Sequence, residues 1–244
     1  MEYSYLTDPG KVRDHNEDSV TALKNASGEI LMAVADGMGG HKAGEIASSI
    51  AINHIGKRFL NTGTVGNKED AFAFLKEVVS EANILIYKYT NEHPESSGMG
   101  TTIVISLLTK DFLLFGNIGD SSGFVIKDGT LYKITTDHTL VNLLVKSGEL
   151  TIEEAKDHPR KNVLMRALGA NMTVGMDIFD VETNVDGIFL CSDGLTNMLE
   201  VNQIESVLDS SLEIEKKLEK LIFKSNNRGG TDNISVAYLN KGGN

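Results

Sequence analysis

Between residues 101 and 134 the chain carries four strand signals with almost nothing between them. "TTIVISLL" (101–108) and "FLLFGNI" (112–118) are separated by a short turn, and "GFVIKDGTLYKI" (123–134) divides at Asp128-Gly129, a strong hairpin signal. Such spacing leaves no room for a helix between the strands, so they must pair as adjacent hairpins. Further strand signals are "ILMAVA" (30–35), "GIFLC" (187–191) and "NISVAYL" (233–239). Helices are predicted over 42–59, 69–90, 138–147, 151–157, 201–209 and 212–225, with "NTGTVGNKED" (61–70) as a loop between the first two. In the first helix Ile46, Ile50, His54 and Ile55 share a face at 3.6 spacing. Thr151 with Glu154 fits a capping box, and Gly148 sits where a C-terminal glycine cap belongs. The pattern predicts an α+β fold, antiparallel sheets covered by helices, rather than a doubly wound parallel sheet.

At 244 residues, with 41% hydrophobic content and 3 prolines, the chain is long enough for a sizeable core and reads as a single ordered domain, 1–244. No repeat, low-complexity tract or linker divides it. A net charge of −11 argues against nucleic acid or an anionic membrane as partner. The single cysteine, Cys191, excludes a disulfide framework and a Cys-rich zinc site. The first residues lack an apolar signal region, and no stretch approaches the length of a membrane span, so the expectation is a cytoplasmic protein.

The aspartates fall at strand ends. Asp36 ends "LMAVAD", Asp120 ends "LFGNIGD", Asp193 ends "GIFLCSD", Asp232 precedes "NISVAYL", and Glu17-Asp18 precedes "VTAL". A single Asp-Gly is ordinary turn chemistry. Repetition at strand end after strand end brings the carboxylates to one rim. Two such charges about 4 Å apart repel by about 4 kcal/mol at an effective dielectric near 20, so a shared pocket needs cations. All-oxygen donors select Mg²⁺ or Mn²⁺. Zinc is disfavoured, because His15, His41, His54, His93, His138 and His158 show no ligand-like pairing.

"GKVRDHNEDS", "ADGMGGHKAGEIAS", "GMGTT", "GNIGDS", "TTDHTLV", "HPRKNVLMRALG", "LCSDGL" and "GGTDNISV" occur in this order across roughly residues 10–239. This series resembles the motifs of the type 2C metal-dependent protein phosphatases in their bacterial stand-alone form. The resemblance implies a central sandwich of two antiparallel β-sheets flanked by helix pairs. It implies Mn²⁺ or Mg²⁺, two in a core site and a third nearby. Asp36 is similar to the acid that bridges the two ions, with the Gly37 carbonyl on one of them. Asp193 and Asp232 match acids completing the first shell, Glu17 and Asp18 acids on the opposite side, and Asp120 with Asp193 a third site. Arg13 matches the guanidinium that holds the substrate phosphate. The implied reaction is hydrolysis of phosphoserine and phosphothreonine in proteins without a phosphoenzyme, by a water between two metals about 3.5–4 Å apart. Implied partners are phosphoproteins, including a bacterial Ser/Thr kinase and its substrates, met by a monomer.

Two departures stand out. Many relatives carry a proton-donating His after the Asp-Gly pair; here it is Met38, so His41, three residues on, and a metal-bound water are the candidate acids. Ser122 and Gly123 follow "GDS" where the family commonly has Arg. Residues 145–170 match the family's mobile flap, where substrate preference is expected to reside.

Rival readings fare worse. A cysteine-based phosphatase needs Arg six residues beyond Cys191, and position 197 is Asn197; the thiol reads as a buried small hydrophobe. "GMGGHKAG" does not supply a P-loop. Lys216, Lys217, Lys220 and Lys224, alternating with Glu213, Glu215 and Glu219, read as a solvated helix face. The alternative of another class is a non-catalytic, metal-dependent phosphopeptide-binding or regulatory member of the same fold. Such members usually lose a metal acid, and all are present here. A sporulation-type phosphatase with one target usually carries additional domains.

Overall fold

Two antiparallel sheets lie face to face in the computed structural model, which describes residues 1–39 and 43–242. The first contains β1 (Glu2–Asp8), β11 (Ile234–Asn240), β10 (Gly187–Cys191), β7 (Ser122–Lys127) and β8 (Thr130–Lys133), in that order. The second runs β2 (Asp18–Lys24), β3 (Ile30–Met38), β5 (Ile103–Leu108), β6 (Leu113–Ile118) and β9 (Asp177–Val181), with the short β4 (Gly100–Thr101) paired to the end of β3. The hairpins β5–β6 and β7–β8 form as the spacing requires, the latter turning at Asp128 and Gly129.

Three apolar layers hold the sandwich. Met32, Val34, Phe115, Val125, Ile188 and Leu190 fill the space between the sheets. Against the second sheet pack α1 (Ala43–Thr62) and α2 (Lys68–Glu92), burying Leu31, Ile55, Phe59, Leu75 and Ile105. Against the first pack α6 (Val201–Leu208) and α7 (Ile214–Asn227), burying Phe189, Leu195, Leu218, Leu221 and Val236. The order helix, sheet, sheet, helix is the α+β sandwich expected from the sequence.

Local signals decide where elements begin and end. α2 opens on a capping box between Asn67 and Asp70. α3 (Leu140–Ser147) closes on Gly148 in the left-handed region, and α4 (Ile152–Lys156) opens on the Thr151–Glu154 box. The stretch after them returns to the body of the protein through bridges from Thr139 to Leu164 and from Thr101 to Leu168.

Three expectations need correction. β3 continues past residue 35, so Asp36 lies within the strand and is the register partner of Asp18 on β2. The buried face of α1 is Ala47, Ser48, Ala51, Ile52, Ile55 and Phe59, while Ile46, Ile50 and His54 sit at its margin. Small residues face inward because the helix lies close on β2 and β3. Lys217 is not solvated: its stem is buried, its Nζ donates to the Leu208 carbonyl at 2.5 Å, and it lies over the Tyr238 ring.

Candidate metal centre

Strand ends from both sheets bring the predicted acids to one rim. Glu17 and Asp18 enter β2, and Asp36 lies opposite on β3. Asp120 occupies the crossing from β6 to β7, Asp193 opens the short α5 (Asp193–Thr196) after β10, and Asp232 stands just before β11. A pocket of about 370 Å³ opens among them, lined by Arg13, Glu17, Asp36, Gly37, Asp120, Asp193 and Asp232. Asp18 is buried rather than on this wall, and His41 lies outside the described residues.

Backbone contact sets the centre. A Cβ on Gly37 would lie 2.1 Å from the Gly44 carbonyl oxygen and 2.5 Å from that of Glu17, so only glycine lets β3, α1 and the Glu17 segment meet there. The Gly37 amide donates to the Glu17 carbonyl at 3.1 Å. The Asp36 amide donates to Thr102 Oγ1 at 2.9 Å, and Thr101 Oγ1 donates back to the Asp36 carbonyl at 2.9 Å. Asn233 accepts from the Glu17 amide at 2.8 Å while its Nδ2 donates to the carbonyls of Pro9 and His15. Ser192 Oγ donates to Asp18 Oδ2 at 2.7 Å. Behind Asp120, His138 Nδ1 accepts from the Gly119 amide at 3.1 Å, and its Nε2 meets Asp177 at 3.0 Å. Burial alone would raise the Asp177 carboxyl; hydrogen bonds from His138 and Arg166 hold it below the usual range.

Thr102, Ser192, Asn233 and His138 were not predicted as site residues. Their signal was present, since each stands beside an acid within a quoted motif or closes one of those motifs. Strand periodicity does not say which small polar groups will turn inward to hold an acid.

Crowding shows in the electrostatics. Burial first, then the charges of Asp18, Asp193, Asp120 and Asp232, hold the Asp36 carboxyl well above its ordinary range. Asp18 is pushed up to about 7, chiefly by burial. Asp120 also rises to about 7, from burial and then the Asp193 charge. Burial and the Asp232 charge raise Asp193, and burial raises Glu17. Asn197 Nδ2 donates to Asp193 Oδ2 at 3.0 Å. Asp232 turns instead to Arg13, at 2.8 Å.

The donor set fits a hard divalent cation. All donors are oxygens, and Asp18 Oδ1 and Asp193 Oδ1 are buried with no hydrogen-bond partner. Among the described residues no three acidic, His or Cys side chains already enclose a cation position.

Two other features carry none of the predicted metal or phosphate residues. Cys191 is fully buried and its thiol is pushed up by burial, which makes it a poor nucleophile. A cavity of about 200 Å³ lies at the far ends of the strands, against Leu131, Lys217 and Tyr238.

Comparison with known proteins agrees with this geometry. The family model described as protein phosphatase 2C matches residues 11–223. A serine/threonine phosphatase of Listeria welshimeri is 38% identical over 99% of this chain and 96% of its own. A protein phosphatase of Streptococcus pneumoniae is 36% identical over 98% of this chain and 97% of its own. The solved serine/threonine phosphatase of S. agalactiae superposes with a TM-score of 0.91 at 36% identity, covering 97% of this chain and 98% of its own. The sandwich, the rim of acids and this near full-length likeness place the chain in the protein phosphatase 2C family.

Proposed function

We propose that the acid-lined pocket hydrolyses phosphoserine and phosphothreonine in proteins, as the names of the chain's relatives say of them. The observation that carries this reading is the pocket itself: buried carboxylates from both sheets, two of them with an unpartnered oxygen, and Arg13 at the rim. The family is metal-dependent, and Mn²⁺ or Mg²⁺ suits this donor set. When bound, the cation supplies Lewis acidity and activates water for attack on phosphorus.

The chain's own groups take the remaining tasks. Asp36, the Gly37 carbonyl, Asp193 and Asp232 would hold the core pair of ions, with Glu17 and Asp18 supporting from the other side. Asp120 with Asp193 offers a third position. Arg13, held at the rim beside Asp232, presents its guanidinium N–H groups to the phosphate oxygens. Gly37 and Gly44 fix the spacing of strand and helix, so orientation is set before substrate arrives. Met38 brings no proton for the leaving oxygen, and His41 takes that role. Residues 145–170 form the flap over one side of the pocket.

In the cell we place the protein in the cytoplasm, as a monomer, opposing a Ser/Thr kinase and acting on its substrates. Among the described residues no helix is long and apolar enough to cross a membrane.

Hydrolysis of a phosphothreonine peptide, followed with Mn²⁺, Mg²⁺ or EDTA, tests the reading. Chelation is expected to abolish turnover. Asp36→Ala and Asp193→Ala are expected to lower it by at least about 100-fold while the protein stays folded. Full activity in EDTA overturns the mechanism; metal-dependent peptide binding without turnover establishes the non-catalytic alternative.

A further inference from the structure

The cavity of about 200 Å³ at the far ends of the strands lies between the first sheet and the helices that cover it. Its buried wall is Ile126, Leu131, Leu208, Lys217 and Tyr238, and the more exposed Asp186, Glu205 and Asp209 stand around it. Ile126, Gly187 and Asn240 form one row across β7, β10 and β11, the three strands whose opposite ends adjoin Asp120, Asp193 and Asp232. The length of β10, about 13 Å at strand rise, separates cavity from acid pocket, and the two share no residue.

Lys217 is the residue in want of explanation. It is 8% exposed, and its ammonium group carries three N–H donors. One goes to the Leu208 carbonyl at 2.5 Å, its single hydrogen-bond partner among the described residues, and the Tyr238 ring lies 5.9 Å away. Burial draws the group below its ordinary range, against the pull of the Asp209 charge. Two donors of a buried cation are thus left for something inside the cavity, since an unpaired buried charge is costly. The acids are half used. Asp186 Oδ2 accepts from the Asp128 amide at 2.7 Å and Glu205 Oε1 from the Leu131 amide at 2.8 Å, each with its other oxygen free to accept among the described residues.

We infer that this cavity is a binding site for a small aliphatic α-amino acid, its carboxylate on Lys217, its ammonium group on the acids, and its side chain against Ile126, Leu131 and Leu208. Charge selects the zwitterion. An anion such as phosphate or acetate answers Lys217 but faces three carboxylates, and a simple amine suits the acids but faces a buried ammonium. A neutral apolar molecule leaves both unpaired. Size selects a small one, because drug-sized ligands occupy about 300–1,000 Å³. The occupant joins α6 and α7 to the β7–β8 hairpin, all of which contribute wall residues.

Equilibrium dialysis of the full chain against L-alanine, L-valine and L-leucine tests this, with isobutylamine and 3-methylbutanoate as controls. These are valine without its carboxylate and valine without its amine. At least one amino acid is expected to bind at least about tenfold tighter than either fragment. Lys217→Met keeps the aliphatic stem and removes the charge, and Asp209→Asn changes an exposed side chain. Each is expected to weaken that binding at least about tenfold. Circular dichroism reports whether the variants fold, and Asp209→Asn carries the test if Lys217→Met does not. No binding of any of the three by about 10 mM, fragments that bind as well as the amino acid, or a folded variant that binds like the parent overturns the inference. The readout is binding, so it is independent of what the acid pocket hydrolyses.

Discussion

Arg13 and Asp232 meet at 2.8 Å with both side chains partly open to water, 51% and 33% exposed, so the pair adds little to folding stability. Its meaning is positional: Arg13 reaches Asp232 through Oδ2 alone, which sets the guanidinium at the edge of the acid pocket. Arg13→Ala is expected to leave the melting temperature nearly unchanged and to raise KM for a phosphopeptide at least about tenfold, with a smaller effect on kcat. Steady-state kinetics decide this, and an unchanged KM removes Arg13 from phosphate binding. The proton for the leaving oxygen is a second matter at this scale. An alkoxide of serine or threonine leaves poorly unprotonated, whereas nitrophenolate leaves readily. His41→Gln is therefore expected to lower kcat on a phosphopeptide by about 100-fold and to spare p-nitrophenyl phosphate. Equal losses on both substrates count against His41 as the acid.

Helix α1 shows how an element can override its own propensities. By helix preference alone, Gly44→Ala should stabilise by about 1 kcal/mol. A Cβ at Gly44, however, would lie 2.8 Å from the Gly37 carbonyl carbon, a strand backbone atom that cannot give way freely, and 2.8 Å from the half-buried Glu17 Cδ. The expected result is a loss of about 1–3 kcal/mol and reduced phosphatase activity, since the Gly37 carbonyl is displaced. Thermal melting of the variant reports the sign, and a gain in stability refutes the contact argument. The same element shows what sequence could and could not say. Its length was legible; its buried face was not, because the contact selects Ala47, Ser48 and Ala51 over larger neighbours at the margin. The strands β5, β6, β7, β8, β10 and β11 were legible from dense β-branched and aromatic runs. β1 and β9 escaped notice, being edge strands with partly exposed residues and no apolar run to mark them. β2 puts Asp18 and Thr21 into its buried positions and gave an equally weak signal. The acids were legible because strand-end position is a local property. The Ser192, Thr102 and Asn233 groups that hold them answer to contacts made across 66 to 216 residues of chain, a distance over which no spacing rule operates.

For the molecule as a whole, the raised carboxyls tie stability to pH. Asp18 and Asp120 titrate near 7 when folded, against 3.8 for a free aspartate, so between those values the folded state holds protons that the unfolded chain has released. Unfolding free energy of the metal-free protein then falls as pH rises from about 4 to 7. It is expected to melt at least about 5 °C lower at pH 8 than at pH 5. Mn²⁺ should recover more of the loss at pH 8, where it displaces fewer protons. Melting curves with and without metal at both pH values check this, and a metal-free protein more stable at pH 8 contradicts the assignment of these groups.

The acids also divide between the two sheets: Asp18 and Asp36 on the second, Asp193 and Asp232 on the first, with Asp120 where the chain crosses. A cation held as proposed, by both halves, would act as a rivet through the sandwich. The apolar layer behind it becomes a spacer, with Phe115 of one sheet in direct contact with Gly123 of the other. Sliding of the sheets by a fraction of an ångström would then retune the grip without altering one ligand. Substitution in that layer would be a dial for metal affinity, set from the far side of the wall.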